Sequence, residues 1–230
     1  MVTLANSLQA QAVIFDFDGV IVDTEPLHYR AFQQILEPLG IGFSWAEYQE
    51  LFMGFDDRDA FIEAFKVHGR EINSTELSIL IATKAGIFQD VIRGGVKSYP
   101  GVVEVIQSLY ALNVPMAICS GALRSDILPI LDTLNIASCF EIIVSADDVA
   151  KSKPDPESYC LAFDKVCALW PHSRISARET IAIEDTPAGI SAASQAGLQV
   201  IAVSNSYPRE QLVQATYITD SLADLLVRPD

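Results

Sequence analysis

The chain has 230 residues, half of them apolar, and a formal net charge of −15; that is enough for one large domain, or a domain with an insertion, around a substantial core. The acidic residues are spread along the chain instead of forming a tail, which reads as a solvated surface and argues against a nucleic-acid partner. No apolar run reaches the roughly eighteen residues a bilayer span needs, and residues 1–11 lack the basic start and apolar middle of a secretion signal, so a cytoplasmic protein with no membrane partner is expected.

Ala12-Val13-Ile14-Phe15 is a short, partly β-branched apolar run followed by an Asp-rich turn, the pattern of a central parallel strand. Between Thr24 and Val96 strand-like runs disappear, and the sequence predicts three or four amphipathic helices around Phe32, Ile35, Leu36, Tyr48, Leu51, Phe61, Phe65, Leu77 and Leu80. Gly19 to Thr24 forms the outgoing linker of this insertion, and Gly94-Gly95 with Tyr99-Pro100-Gly101 the return. A helix follows Gly101, with Val102, Val105, Ile106 and Leu109 on one face.

Further strands are expected over residues 115–119, 141–144, 180–183 and 199–203, alternating with helices. Pro129 should kink or shorten the helix over 124–134. The last predicted helix has conventional punctuation: Thr186 as N-cap, Pro187 in the first turn, Gly197 as the stop. The fold class is therefore α/β, a doubly wound, mostly parallel sheet, with residues 1–22 and 97–230 as core and 23–96 as a helical cap inserted after the first strand. Cys119, Cys139, Cys160 and Cys167 contain no C-x-x-C pair and are expected to be reduced, mostly buried thiols.

Four polar clusters each close an apolar run that reads as a buried strand: Asp16-Phe17-Asp18-Gly19, Ser120-Gly121, Lys151-Ser152-Lys153-Pro154 and Glu184-Asp185-Thr186-Pro187. Open α/β sheets bind ligands beyond the carboxyl ends of their strands, so these clusters can converge on one pocket. Two carboxylates one residue apart can divide the work of nucleophile and proton carrier, although such a pair is often only a turn. Adding Glu184 and Asp185 creates a repulsion that a hard dication would relieve, which predicts Mg²⁺; the alternative is that Asp185 merely caps the next helix, a task Thr186 can perform. The Ser120 hydroxyl and the amides after it suit an anion at a helix start, and Lys153 would add a cation, although such turns are common and a loop lysine is commonly just solvated.

Taken in order, Asp16-x-Asp18-Gly19-Val20, Ser120-Gly121, Lys153-Pro154 and Glu184-Asp185-Thr186 resemble the four signature motifs of the haloacid dehalogenase superfamily over nearly the whole chain. Asp23-Thr24-Glu25-Pro26-Leu27-His28 before a helical insertion resembles its β-phosphoglucomutase and sugar-phosphatase branch. The resemblance implies Asp16 as nucleophile, Asp18 as general acid and base, and Ser120, Gly121 and Lys153 on the phosphoryl group. It also implies Mg²⁺ held by Asp16, the Asp18 backbone carbonyl and Asp185, with Glu184 nearby. The second aspartate is what an alkoxide leaving group requires and a halide does not.

In the cap, Thr24 is a substrate-side candidate, and His28 and Lys84 resemble residues that help couple cap closure to the proton-handling aspartate. Gly54-Phe55-Asp56-Asp57-Arg58 resembles a specificity loop in which a mutase places an arginine for a second phosphate; here Asp57 takes that place, with Arg58 one residue later. A carboxylate there would repel a bisphosphate, leaving Arg58 or Arg93 to compensate. An overall negative field does not steer an anionic substrate, so recognition must be local, through Mg²⁺, Lys153, the turn at Ser120 and either Lys84 or Arg58. The expected activity is hydrolysis of a small phosphorylated metabolite: a sugar or polyol monophosphate, or a phosphoglycolate-like ester. The alternatives are a phosphosugar mutase and a catalytically idle phosphate-binding module, and the oligomeric state stays open.

Overall fold

The computed structural model describes residues 1–4, 8–53, 55–92, 95–225 and 228–229, so Gly54, Arg93 and Gly94 lie outside the described residues. The chain opens with two short strands, β1 (Val2–Thr3) and β2 (Gln9–Ala10), and enters the main sheet at β3 (Ala12–Phe15). Four helices follow, α1 (Glu25–Leu36), α2 (Trp45–Leu51), α3 (Asp57–Val67) and α4 (Ser74–Ile92). Helix and strand then alternate through α5 (Val102–Ala111), β4 (Met116–Cys119), α6 (Arg124–Thr133), β5 (Ile142–Val144), α7 (Glu157–Leu169), β6 (Thr180–Glu184), α8 (Pro187–Gln195) and β7 (Gln199–Val203). The chain closes with β8 (Tyr217–Thr219) and β9 (Arg228–Pro229).

Six strands form one parallel sheet in the order β5-β4-β3-β6-β7-β8, while β2, β1 and β9 make a small antiparallel sheet. The period of two along each strand sorts the apolar residues between two faces. Val13, Phe15, Ile118, Ile183 and Val203 join Val105 and Ile106 of α5 and Ile127 of α6 in one cluster; Ile14, Ala117, Ala182 and Ala202 join Tyr159 of α7 and Ile190 of α8 in the other. Because both faces are covered, the central strands read as unbroken apolar runs. The cysteines are all free, but only Cys119 is fully buried; Cys160 is exposed, correcting the expectation of mostly buried thiols. No helix among the described residues is long and apolar enough to cross a membrane.

The helical cap has its own core, in which Phe32, Ile35, Leu36, Tyr48, Phe61 and Phe65 are buried and Leu77 and Leu80 half-buried. Leu51 is 38% exposed, contrary to expectation, because the inward position at the end of α2 belongs to Phe52. Outgoing and returning chains pair with each other: Val22 bridges Ser98, the Asp23 amide donates to the Lys97 carbonyl at 3.0 Å, and the Tyr99 amide donates to that of Ile21 at 3.0 Å.

Pro129 neither shortens nor ends α6, which continues to Thr133. Proline lacks the N–H that would reach the carbonyl four residues back, so the Ser125 carbonyl loses its intrahelical donor. Gln89 of α4 replaces it, its amide Nε2 donating to the Ser125 carbonyl at 2.6 Å and to Asp126 Oδ1 at 3.0 Å. Gln89→Ala should therefore cost about 1 kcal/mol of stability, measured by urea unfolding. The cost should shrink in the Pro129→Ala background, where a restored backbone N–H serves Ser125.

Candidate active site

Register brings the polar clusters to one edge. Phe15 pairs with Ile118 on one side and Ile183 on the other, and the ladder ends with the Asp16 amide donating to the Ile183 carbonyl at 2.9 Å. Asp16 thus leaves the sheet beside Glu184 and Asp185, with Ser120 two residues past Ile118 on the other neighbour. From β3 the chain builds toward β5 in one direction and toward β8 in the other, so the cluster sits where the winding reverses, the place such sheets reserve for ligands. Gly19 has a φ of +78°, and a Cβ on it would lie 1.8 Å from Asp185 Oδ2; only glycine lets the two turns meet so closely.

Lys153 joins three strand ends. Its Nζ lies 2.9 Å from Asp16 Oδ1, 2.7 Å from Glu184 Oε1 and 3.1 Å from the Cys119 carbonyl, and stands 5.0 Å over the ring of Tyr159. Glu184 is fully buried and also accepts from Tyr159 Oη at 2.7 Å and from the Asp185 amide at 3.2 Å. Burial pushes the Asp16 carboxyl up to about 8, against the pull of Lys153 and with the push of Glu184. Burial, then the charges of Asp16 and Glu184, hold Asp185 well above the carboxylate range. For Lys153 burial acts downward, but Asp16 and Glu184 outweigh it and its pKa rises.

Asp16, Glu184 and Asp185 each bring a carboxylate oxygen within 4.8 Å of the others. Asp185 Oδ2 takes the hydroxyl of Ser206, while Oδ1 is buried without a hydrogen-bond partner. Three buried oxygen donors, one of them with an idle atom, fit a hard cation such as Mg²⁺. The Asp18 side chain does not join this group: its Oδ1 takes the hydroxyl of Thr24 and lies 3.5 Å from His28 Nε2. Burial raises the Asp18 pKa, but the hydrogen bonds from His28 and Thr24 and the charge of Lys84 carry it below the usual value.

Lys84 is fully buried in the cap, its Nζ 2.6 Å from both His28 Nδ1 and Asp57 Oδ1 and about 5 Å from the rings of Phe32 and Phe88. An ammonium only donates, so His28 Nδ1 accepts and the proton-bearing Nε2 faces Asp18. Arg58 donates to the Ala150 carbonyl at 3.2 Å and lines a neighbouring cavity. Lys84 acts on the pocket from behind, through its charge on Asp18, and Arg58 faces the neighbouring cavity.

The turn at Ser120 also differs from expectation. Its hydroxyl accepts from the Ala122 amide at 2.9 Å, and α6 begins only at Arg124, so the residues are held by a hydroxyl turn and not by a helix start. Ser120 and Gly121 nonetheless line the same cavity as Asp16, Asp18, His28 and Lys153, opposite a cap wall that includes Glu25, Tyr48, Asp56 and Asp57. Asp56 caps α3 and accepts from Ser152 Oγ at 2.6 Å, tying the cap to the residue beside Lys153. Glu25, Asp56 and Ser152 stand in the sequence only as neighbours of candidate residues; for Tyr159 and Ser206 the sequence carries no local signal.

Thr186 caps α8 as expected, accepting from the Gly189 amide at 3.0 Å. A Cβ on Gly189 would fall 2.0 Å from the Glu184 carboxylate. Helix propensity alone predicts that Gly189→Ala stabilises by about 1 kcal/mol. Displacing the carboxylate that holds Lys153 and Tyr159 should instead destabilise by about 2 kcal/mol, read as a lowered urea midpoint.

Residues 13–203 match the family described as Haloacid dehalogenase-like hydrolase. Among relatives, the chain is 27% identical over 194 residues to a phosphorylated carbohydrates phosphatase of Thermotoga maritima, covering 83% of each chain. It is 30% identical over 203 residues to a β-phosphoglucomutase of Bacillus subtilis, covering 86% of this chain and 85% of that one. The fold is shared with CbbY of Rhodobacter sphaeroides, solved in complex with xylulose-(1,5)bisphosphate: TM-score 0.82 at 22% identity, over 94% of this chain and 96% of that one.

Proposed function

The chain belongs to the haloacid dehalogenase-like hydrolase family, and we propose that it is a cytoplasmic, Mg²⁺-dependent phosphatase of a small phosphorylated sugar or polyol. The observation that carries this reading is the pairing of buried Asp16 with Lys153 at 2.9 Å, in a cavity that also takes in Asp18, Ser120 and Gly121. Phosphoryl transfer needs mainly positioning and charge neutralisation, and these groups supply both.

An Asp16 carboxylate oxygen attacks phosphorus and forms an aspartyl-phosphate as the bond to the leaving oxygen breaks. Asp18, in its protonated form, gives that oxygen its proton and stays in place as the carboxylate; a negative phosphoryl group beside it opposes the hydrogen bonds that otherwise lower its pKa. Asp18 then takes a proton from water, whose oxygen attacks phosphorus and frees Asp16 and inorganic phosphate. Lys153 and the Ser120 hydroxyl hold the phosphoryl oxygens, and His28 and Thr24 aim Asp18. Asp16 and Asp185, with the Asp18 backbone carbonyl, would hold the Mg²⁺, with Glu184 behind them. The ion, when bound, neutralises charge on the phosphoryl oxygens.

Asp16→Asn should lower phosphate release from a generic aryl phosphate by about a thousandfold or more while leaving the melting curve cooperative; near-normal turnover would remove the covalent mechanism. Mg²⁺ at about a hundred times its dissociation constant should stabilise the folded protein by about 2.7 kcal/mol. The corresponding upward shift in melting temperature should disappear in Asp185→Asn. A coupled assay for glucose 6-phosphate from β-glucose 1-phosphate with a bisphosphate primer separates a mutase, which shares the first half-reaction, from the hydrolase.

A further inference from the structure

The loop that follows β7 is tied down at both ends. At its start the Ser204 amide donates to the Thr219 carbonyl at the end of β8 at 3.1 Å, and the Ser204 hydroxyl donates to Asp220 Oδ1 at 2.8 Å. At its far end Arg209 donates to the same Asp220 oxygen at 2.7 Å and to the Ile218 carbonyl at 3.0 Å. Residues 204–209 are therefore clamped onto one short strand and the turn after it.

Between those ties three successive side chains take three distant partners. Asn205 Nδ2 donates to the Gly19 carbonyl at 2.7 Å, the Ser206 hydroxyl donates to Asp185 Oδ2, and Tyr207 Oη donates to the Met53 carbonyl of the cap at 3.2 Å. Tyr207 also packs against both the sheet-side cluster that holds Tyr159 and the cap core, so it braces the loop from the cap side.

Two of the three partners belong to the cation site. Asp185 is one of the three converging carboxylates, and with Oδ2 engaged by Ser206 its Oδ1 stays buried without a hydrogen-bond partner. A carboxylate held by one oxygen is fixed about its Cβ–Cγ bond, so the serine hydroxyl decides which oxygen is left for an ion. Gly19 follows Asp18, whose backbone carbonyl would be a further ligand, and the grip of Asn205 on the Gly19 carbonyl steadies the turn that presents it. The packing is close: a Cβ on Gly19 would fall 1.8 Å from Asp185 Oδ2 and 2.9 Å from Ser206 Oγ, so turn, carboxylate and serine are seated together. Losing a hydrogen bond that orients a metal ligand typically costs about tenfold to a hundredfold in metal affinity.

We propose that Ser206 and Asn205 are positioning residues of the cation site: Ser206 turns the free oxygen of Asp185 toward the ion, and Asn205 holds the turn that carries the Asp18 carbonyl. The assignment rests on the Mg²⁺ site of the reading above and adds to it two groups outside the ligand set. It also accounts for the clamped loop, since a hydroxyl on a loose loop would orient nothing.

Calorimetric titration of the full chain with MgCl₂ tests this without recourse to turnover. Ser206→Ala should raise the Mg²⁺ Kd by about tenfold or more, with the metal-free protein still melting cooperatively. Asn205→Ala should also raise it, and carries the test if Ser206→Ala does not fold. A serine with only a structural part would lower the melting temperature of the metal-free protein and leave the Kd in place. An unchanged Kd in either folded variant, beside a wild-type chain that binds the ion, overturns the proposal. A wild-type chain that binds no Mg²⁺ overturns instead the metal site on which it rests.

Discussion

Three buried carboxylates sharing one ammonium is the constraint on which the rest of the molecule turns. Asp16, Glu184 and Asp185 converge at the strand ends, and Lys153 touches only the first two. With all three ionised, one cation against three anions would leave a formal charge of −2 in a buried site, and the raised pKa values of Asp16 and Asp185 show protons favoured there in its place. A dication balances it, and the idle Oδ1 of Asp185 is where balance is most lacking. The surrounding small residues follow from the same crowding: Gly19 clears Asp185 and Gly189 clears Glu184.

Much of this was legible in the sequence because the central strands are covered on both faces, which makes them continuous apolar runs with abrupt polar ends. Strand ends in a parallel sheet share one edge, so Asp16, Ser120 and Glu184 announced a common location before any coordinate was known. The strands that escaped notice, β1, β2, β8 and β9, are two or three residues long and lie outside the covered centre, where no apolar run marks them. Ser206 escaped because a serine in a turn looks like every other one. The course of α6 past Pro129 depends on Gln89, a partner 40 residues earlier in the chain, and local propensity holds no trace of it.

Position along the chain does not show how the cap cations are held. Lys84 and Arg58 look like natural substrate ligands in a cap, yet each is used inside the protein. Burying the Lys84 ammonium requires an anion and an acceptor in contact, which Asp57 and His28 supply. Side-chain burial is decided by helix packing, and α1 and α4 set it jointly. The sequence shows both residues but not that they meet.

The net charge of −15 and an anionic substrate are compatible once distance is considered. Exposed surface carboxylates more than about 8 Å away are largely screened at physiological ionic strength, so they govern solubility more than binding. At the cavity the charged groups are close together, and a few of them decide the outcome. On the sheet side Lys153 sets a buried positive charge against Asp16 and Glu184. On the cap side Glu25, Asp56 and Asp57 line the cavity, with Asp57 paired to the buried Lys84. Around the pocket each cap carboxylate has a protein partner, Tyr48 for Glu25, Lys84 for Asp57 and Ser152 for Asp56, and the last of these bonds links the cap wall to the sheet side.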